Sequence, residues 1–497
     1  MSQHPVSAPP PATLGELRAS GYRPRSVKQE LRDNLVSRLA TGRPLFPGVV
    51  GYEDTVIPAI ENAVLAGQDI VFLGERGQAK TRLARSLVAL LDDHIPAVEG
   101  SELHEDPFAP LLDATRARIE AEGDGLPIAW LDRSRRYGEK LATPDITIAD
   151  LIGEVDPIKV AEGRYLADAS TIHYGLIPRT NRGIFTINEL PDLQARIQVG
   201  LLNILEEGDI QIRGFPLRLP LDLCLVFSAN PEDYTHRGSI ITPLRDRISS
   251  QIHTHYPRTI EDALAITTQE AWADRDGSVE VAVPRWVRLV VEEVAFQARA
   301  SELVDPASGV SARLTIALLE NTISNAERRA LANGESRAVA RAADVLAAGS
   351  AVTGKIELVY EGEREGAQSV SKALIGKAIK AVFDRSLPDA YAADDGPGQA
   401  EFKPVLEWFG GGRALDLSDE LGDAQLEERL AAIPALAELA GRHLEARAGD
   451  ELAAAMEFVL EGLHQSSLLA KDELSGGRTY RDMFEEMVKD LKVPKKK

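Results

Sequence analysis

Lys80 and Thr81 close the run Gly74-Glu75-Arg76-Gly77-Gln78-Ala79-Lys80-Thr81, and glycines, lysine and threonine in that pattern suit the binding of phosphate. In such a loop, backbone N–H groups and the start of the next helix face the β- and γ-phosphates, the lysine adds a point charge, and the threonine hydroxyl ligates Mg²⁺. Gly74, Glu75, Arg76, Gly77, Gln78, Ala79, Lys80 and Thr81, with Arg82 just inside the helix, are therefore the candidate nucleotide-binding residues. The elements that must hold them arrive in order. An apolar run, Asp69-Ile70-Val71-Phe72-Leu73, predicts a strand, and Leu83, Leu87, Leu90 and Leu91 recur at helical spacing. Ala79 stands where the last glycine of the pattern would be, and its methyl is expected to require a negative φ. A plainer reading, in which Gly74 and Gly77 only turn the chain from strand to helix, uses the same residues.

Hydrolysis needs more than a phosphate cradle. It needs an acid beside Mg²⁺, a group that activates water and a group that reads the γ-phosphate. The segment Gly183-Ile184-Phe185-Thr186-Ile187-Asn188-Glu189 is an apolar strand that ends in a polar pair, and such strand ends face ligands in open α/β sheets. Glu189 is the candidate to polarise the attacking water. Asn188 occupies the metal position together with Thr81, but an amide can only hydrogen-bond a metal-bound water and carries no neutralising charge. Taken alone, the segment is equally an ordinary buried strand with a polar cap. A further apolar run, Leu221–Ser228, closes on Asn230, whose amide can hold the water or sense the γ-phosphate. Between the two strands, Leu193, Ile197, Leu201 and Leu205 predict one helix over Leu190–Glu207, and Asp209–Leu219 alternates and turns like a β-hairpin.

The 497 residues carry a net charge of −21, which argues against a surface that coats nucleic acid, so no nucleic-acid partner is expected. Cys224 is the single cysteine, so an intrachain disulfide is excluded and a reducing compartment is the simple reading. No stretch approaches the roughly 18 apolar residues of a membrane helix, and the early prolines follow no signal-peptide pattern. A cytoplasmic protein is expected. The pair His253 and His255 could seat a metal from one strand face, but no third ligand is near in sequence, and a polar strand is the better reading. The tail Pro494–Lys497 reads as a frayed terminus.

Strands alternating with helices up to Pro257 predict a mainly parallel sheet with helices on both faces. The expected division is a disordered lead-in over 1–28, an α/β nucleotide-binding domain over 29–257, a helical lid and extension over 258–395, and a helical C-terminal region over 396–497. Helices are expected near Gln29–Ala40, Thr55–Ala66, Leu111–Glu122, Ile260–Ala273, Pro284–Arg299 and Ser311–Asn333, with Ser311 capping the last. Residues Gly100–Thr147 look like a polar insertion, Tyr360–Gly366 like a loop, and Leu426–Leu439 and Leu452–Leu463 like helices of a C-terminal bundle.

In this order the motifs resemble the AAA+ ATPases, and within them the branch of the magnesium-chelatase ATPase subunit and the MoxR-type proteins. The resemblance spans roughly Phe46 to Val345. Phe46–Gly51 is similar to the segment beside the adenine, Tyr174–Gly183 to the approach to the acidic strand, and Leu190–Leu219 to that branch's helix-and-hairpin insertion. It implies an α/β fold: an AAA+ P-loop three-layer core with a parallel sheet, a helical lid and an additional C-terminal helical region. Within Pro243-Leu244-Arg245-Asp246-Arg247-Ile248 it implies that Arg247, or else Arg245, is an arginine finger reaching a neighbouring subunit's nucleotide. Within Ser311–Thr315 it implies that Arg313 contacts phosphate from the lid. ATP and Mg²⁺ follow as cofactors, a self-assembled ring such as a hexamer as the working state, and a von Willebrand A-domain or metal-insertion protein as the partner. The function implied is an ATP-driven, chaperone-like remodelling motor. Two narrower readings use the same residues: a true magnesium-chelatase subunit for porphyrin metallation, or a nucleotide-gated scaffold with negligible hydrolysis.

Overall fold

Five short strands form the centre of the first half of the chain: β1 (Ile70–Leu73), β2 (Tyr137–Leu141), β3 (Gly183–Asn188), β4 (Leu223–Ala229) and β5 (Ser250–His253). In this computed structural model they pair in parallel in the order β5-β1-β4-β3-β2. The three central strands are buried at every position, which is why they read as unbroken apolar runs. Alternate residues face opposite layers. Val71, Leu73, Phe185, Ile187, Leu225 and Phe227 join one apolar cluster, whereas Ile70, Phe72, Ile184, Cys224, Val226 and Ile252 join another. Helices Val27–Ala40 and Val56–Leu65 and the helix from Lys80 cover the second face; Leu190, Ile197, Ile204 and Leu244 cover the first. The result is the three-layer α/β core with a parallel sheet that the sequence predicts. Gly183 opens β3 because a Cβ there would lie 2.1 Å from the Arg136 carbonyl oxygen. Cys224 is 3% exposed, and burial pushes its thiol up to about 12.

The structure describes residues 10–156, 158, 171–212, 218–230, 239–391, 397–446, 448–474 and 476–483. It falls into two compact units, Met1–His255 and Tyr256–Lys497. Among the described residues no helix is long and apolar enough to cross a membrane. The hairpin tip, 213–217, and the tail Pro494–Lys497 lie outside the described residues, while the hairpin strands Asp209–Gln211 and Arg218–Pro220 pair antiparallel.

Several expectations need correction in the first unit. The lead-in is not disordered throughout. Leu14–Ala19 is a helix whose N-cap Thr13 accepts a hydrogen bond from the Glu16 amide, and Leu14 and Leu17 bury fully against Val98, Leu126 and Ile128. Two leucines on one face give even six residues a reason to dock, and the prolines before them mask that signal. Residues Tyr137–Leu141, read as part of a polar insertion, form β2 at the sheet edge, where one face stays wet and the pattern is only half apolar. The predicted helix Leu190–Glu207 is three pieces: a 3₁₀ turn at Leu190–Asp192, then Ala195–Gly200 and Leu202–Glu207. Pro191 and Gly200 weaken it, although its leucines and isoleucines keep the expected face.

In the second unit, one apolar core runs from Val279 to Tyr480 through both the lid stretch and the C-terminal region. Its main helices are Ile260–Glu270, Arg285–Ala300, Arg313–Asn333, Ala367–Ser386 and Asp450–Gln465. Ser311 stands one residue before the N-cap Ala312, and its Oγ accepts from the Arg313 amide at 3.1 Å. Tyr360–Glu365 is a helix, not a loop, and Leu426–Leu439 is two helices, Asp423–Leu430 and Leu436–His443, separated around Pro434. The C-terminal region is not wholly helical. Leu415–Ser418, Gly477–Asp482 and Leu469–Leu474 form a three-stranded antiparallel sheet.

Within this unit Glu292 is 2% exposed on the helix Arg285–Ala300. Burial pushes its carboxyl up to about 7, against smaller opposing effects of hydrogen bonds with Thr267 and Thr315 and the charge of Arg299. Because the folded value exceeds the ordinary 4.5, the protonated group stabilises the fold below that ordinary value, and the contribution fades as pH rises through about 7. The loss is on the order of 3 kcal/mol. Chemical denaturation across this pH window is expected to show it, and Glu292→Gln to flatten the profile and stabilise the protein above neutral pH.

Candidate functional site

The five strands of the central sheet are parallel, so Leu73, Asn188, Ala229 and His253 end at one edge of it, and the loops that follow gather there. The loop after β1 is pinned at both ends. Gly74 N donates to Ala229 O at 3.2 Å, and Leu83 N to Ala79 O at 2.9 Å. Tyr52 OH donates to Gln78 O at 2.9 Å, and Thr254 Oγ1 to Gln78 Oε1 at 2.7 Å. Gly74 admits no side chain, because a Cβ would lie 2.0 Å from Thr254 Oγ1. Gly77 turns through φ 74°, and Ala79 through φ 57° and ψ 16°. The expectation of a negative φ at Ala79 is thus overturned. The left-handed region costs an L-residue roughly 1–2 kcal/mol, and the fixed loop ends impose it here.

Lys80, the first residue of its helix, is 7% exposed. Its ammonium donates to the carbonyls of Gly74 and Glu75, the latter at 2.8 Å, and to Asn230 Oδ1. Asn230 Nδ2 donates to Glu189 Oε2 at 2.7 Å. The structure therefore brings Lys80, Asn230 and Glu189 into one hydrogen-bonded chain across three loops. Glu189 adopts φ 55° and ψ 50°, a second left-handed non-glycine residue, and its amide donates to Ser228 Oγ at 3.2 Å. That turn lifts the carboxylate off the strand line toward Asn230. Asn188 is 6% exposed; its Oδ1 accepts from Ser228 Oγ at 3.1 Å, and its Nδ2 donates to Glu139 Oε1 at 2.7 Å.

Glu139, on β2, was not among the residues singled out from sequence. Arg85 Nε donates to its Oε2 at 2.7 Å, and Tyr137 OH to the same oxygen at 3.1 Å. Burial alone would raise its carboxyl, but the hydrogen bonds from Arg85, Tyr137 and Asn188 and the Arg85 charge hold it below the usual carboxylate range. The sequence did contain a hint: an amide at Asn188, where a charge is wanted, invites an acid from the next strand. Hydroxyl, amide and carboxylate oxygens at Thr81, Asn188 and Glu139 are the hard donors that Mg²⁺ takes, so the residues fit that ion.

Other predicted residues stand apart from this chain of bonds. Arg247 ends the helix Thr242–Arg247, where its guanidinium pairs with Glu206 at 2.5 Å and reaches Pro243 O at 3.0 Å. Arg245 is exposed on the same helix. Arg313 is exposed at the start of its helix in the second unit. His253 is exposed on β5, while His255 Nε2 lies 2.8 Å from Thr55 Oγ1 with its ring edge-on to Tyr52. Among the described residues no group of His, Cys, Asp or Glu side chains forms a metal cluster.

No family model matches the chain. The magnesium-chelatase 38 kDa subunit of Rhodobacter capsulatus is 28% identical over 243 residues, covering 48% of this chain and 64% of that one. The chloroplastic magnesium-chelatase subunit ChlI of Oryza sativa subsp. indica is 27% identical over 287 residues, covering 54% and 59%. The chain thus spans less than two thirds of the length of these curated relatives. Among solved structures, a chain from the complex between subunits BchI and BchD of magnesium chelatase is 21% identical, covering 65% of this chain and 99% of that one at a TM-score of 0.34.

Proposed function

We infer that this chain, a relative of the AAA+ subunits of magnesium chelatase, is an ATPase that works as a ring and remodels or activates a partner protein. The observation that carries the reading is the hydrogen-bonded chain Lys80–Asn230–Glu189 at the carboxyl edge of the parallel sheet. It joins a phosphate-binding ammonium to a water-activating carboxylate through an amide able to report on both. When bound, Mg²⁺ would neutralise phosphate charge and orient the γ-phosphate. The loop amides and Lys80 would hold the β- and γ-phosphates, and Thr81 and Asn188 would face the ion. Glu189 would take the proton of the attacking water, and Asn230, freed from Lys80 by the incoming phosphate, would position that water.

Arg247 supports shared sites. It lies at the end of a helix, 30% exposed, and its guanidinium is held by the partly exposed Glu206 and the Pro243 carbonyl of its own helix, contacts cheap to exchange for a phosphate. A finger supplied in trans requires head-to-tail contacts, and head-to-tail contacts that close make a ring. Arg313 would contribute a second phosphate contact from the lid. Mixing variants tests the arrangement. Arg247→Ala and Lys80→Ala should each be inactive alone, but a 1:1 mixture should regain up to about a quarter of wild-type turnover, since half the sites keep Lys80 and half their neighbours keep Arg247. A mixture as inactive as its parts would refute shared sites.

The expected partner is a von Willebrand A-domain protein or a metal-insertion complex, in keeping with the MoxR-type resemblance. A second reading, a chelatase subunit for porphyrin, is favoured by the names of the curated relatives. Metal insertion into porphyrin with candidate partner subunits would select it; ATPase stimulation by a protein client alone would select the first.

A further inference from the structure

We propose that Glu139 supplies the negative charge that the Mg²⁺ position lacks at Asn188, and that Arg85 competes with the ion for this carboxylate. The inference rests on the nucleotide-site reading above and deepens it.

The carbonyl oxygen of Asn188 accepts from Ser228, so its amide nitrogen is directed to Glu139, 2.7 Å away. An aspartate at 188 could make the first bond but not the second, and would set one carboxylate against another. The amide is therefore what lets a carboxylate from β2 stand at this place. Charge has moved to the neighbouring strand, not vanished from the site.

Arg85 gives the second observation. It lies four residues after Thr81 on the same helix, so the two side chains share a face. Its two-pronged contact with Glu139, at 2.7 and 3.0 Å, ties the carboxylate to the helix face that Arg85 shares with Thr81. The Arg85 side chain is 64% exposed and that of Glu139 21%, so water and salt screen the pair and a divalent cation can compete for the carboxylate. Arg85 and Mg²⁺ would thus compete for the Glu139 carboxylate.

The test is the binding of a fluorescent ATP analogue to the full chain across a Mg²⁺ titration and in EDTA, with melting curves as a control on folding. For Glu139→Gln the Mg²⁺ concentration for half-maximal binding should rise at least about tenfold, as expected when a group supporting a metal site is lost. Affinity in EDTA should stay at the wild-type value. Adding Asn188→Asp to Glu139→Gln should restore the Mg²⁺ requirement, and Arg85→Ala alone should lower it. An unchanged Mg²⁺ midpoint in Glu139→Gln, an equal loss of affinity with and without Mg²⁺, or no rescue by the added aspartate would overturn the proposal. Failure of the wild type to bind the analogue would overturn the nucleotide reading itself, a result distinct from a wild type that binds with a Mg²⁺ midpoint indifferent to Glu139.

Discussion

Glu189→Gln should bind ATP as the wild type does and hydrolyse it roughly 10²–10⁴-fold more slowly, the usual weight of a positioned general base. The substitution is nearly isosteric. A glutamine oxygen can still accept the hydrogen bond that Asn230 Nδ2 gives to Glu189 Oε2 at 2.7 Å, so the loop geometry should hold. What goes is the proton acceptor. Glu189 is held in a left-handed turn with its amide on Ser228, so the substitution should leave the loop in place. Nucleotide affinity and phosphate release measured on the same preparation will separate the two effects.

Lys80→Ala should remove binding and turnover together. The ammonium is 7% exposed and is held by two loop carbonyls and Asn230, an arrangement that aims a cation at the place where phosphate must enter. Losing one preorganised charged donor of this kind costs roughly 10²–10³-fold in turnover, and the lost phosphate contact lowers affinity as well. Lys80→Arg should not rescue, since a planar guanidinium cannot sit among the same three acceptors. Equilibrium titration with ATP, beside melting curves to establish that the fold survives, measures this. Some loss of melting temperature is expected as well, because the Gly74 carbonyl and the Asn230 amide oxygen left behind are buried and lose a donor.

The hydrogen-bonded chain Lys80–Asn230–Glu189 was legible because its residues sit at the ends of apolar runs. Lys80, Glu189 and Asn230 each follow a strand buried on both faces, and a parallel sheet delivers all such ends to one edge. Glu139 was not legible for the opposite reason. β2 is an edge strand whose residues are only partly buried, so its pattern resembles a loop's. Ala79 shows a different limit: local preference argues for negative φ, but hydrogen bonds from Tyr52 and Thr254 to Gln78, far apart in sequence, fix the turn. The helix Leu14–Ala19 was hidden by its prolines. The sheet Leu415–Ser418, Leu469–Leu474 and Gly477–Asp482 was hidden by the long helical stretches around it. Arg247 and Arg313 stand in no such pattern, and only the family resemblance singles them out.

The most direct test of the central claim is steady-state phosphate release from Mg²⁺-ATP by the wild type and Glu189→Gln, at matched nucleotide saturation and protein concentration. An ATPase built on Lys80, Asn230 and Glu189 predicts wild-type turnover at least about 100-fold above that of the variant. Equal turnover in the two, with ATP bound equally well by both, would contradict it and leave a nucleotide-gated scaffold in its place.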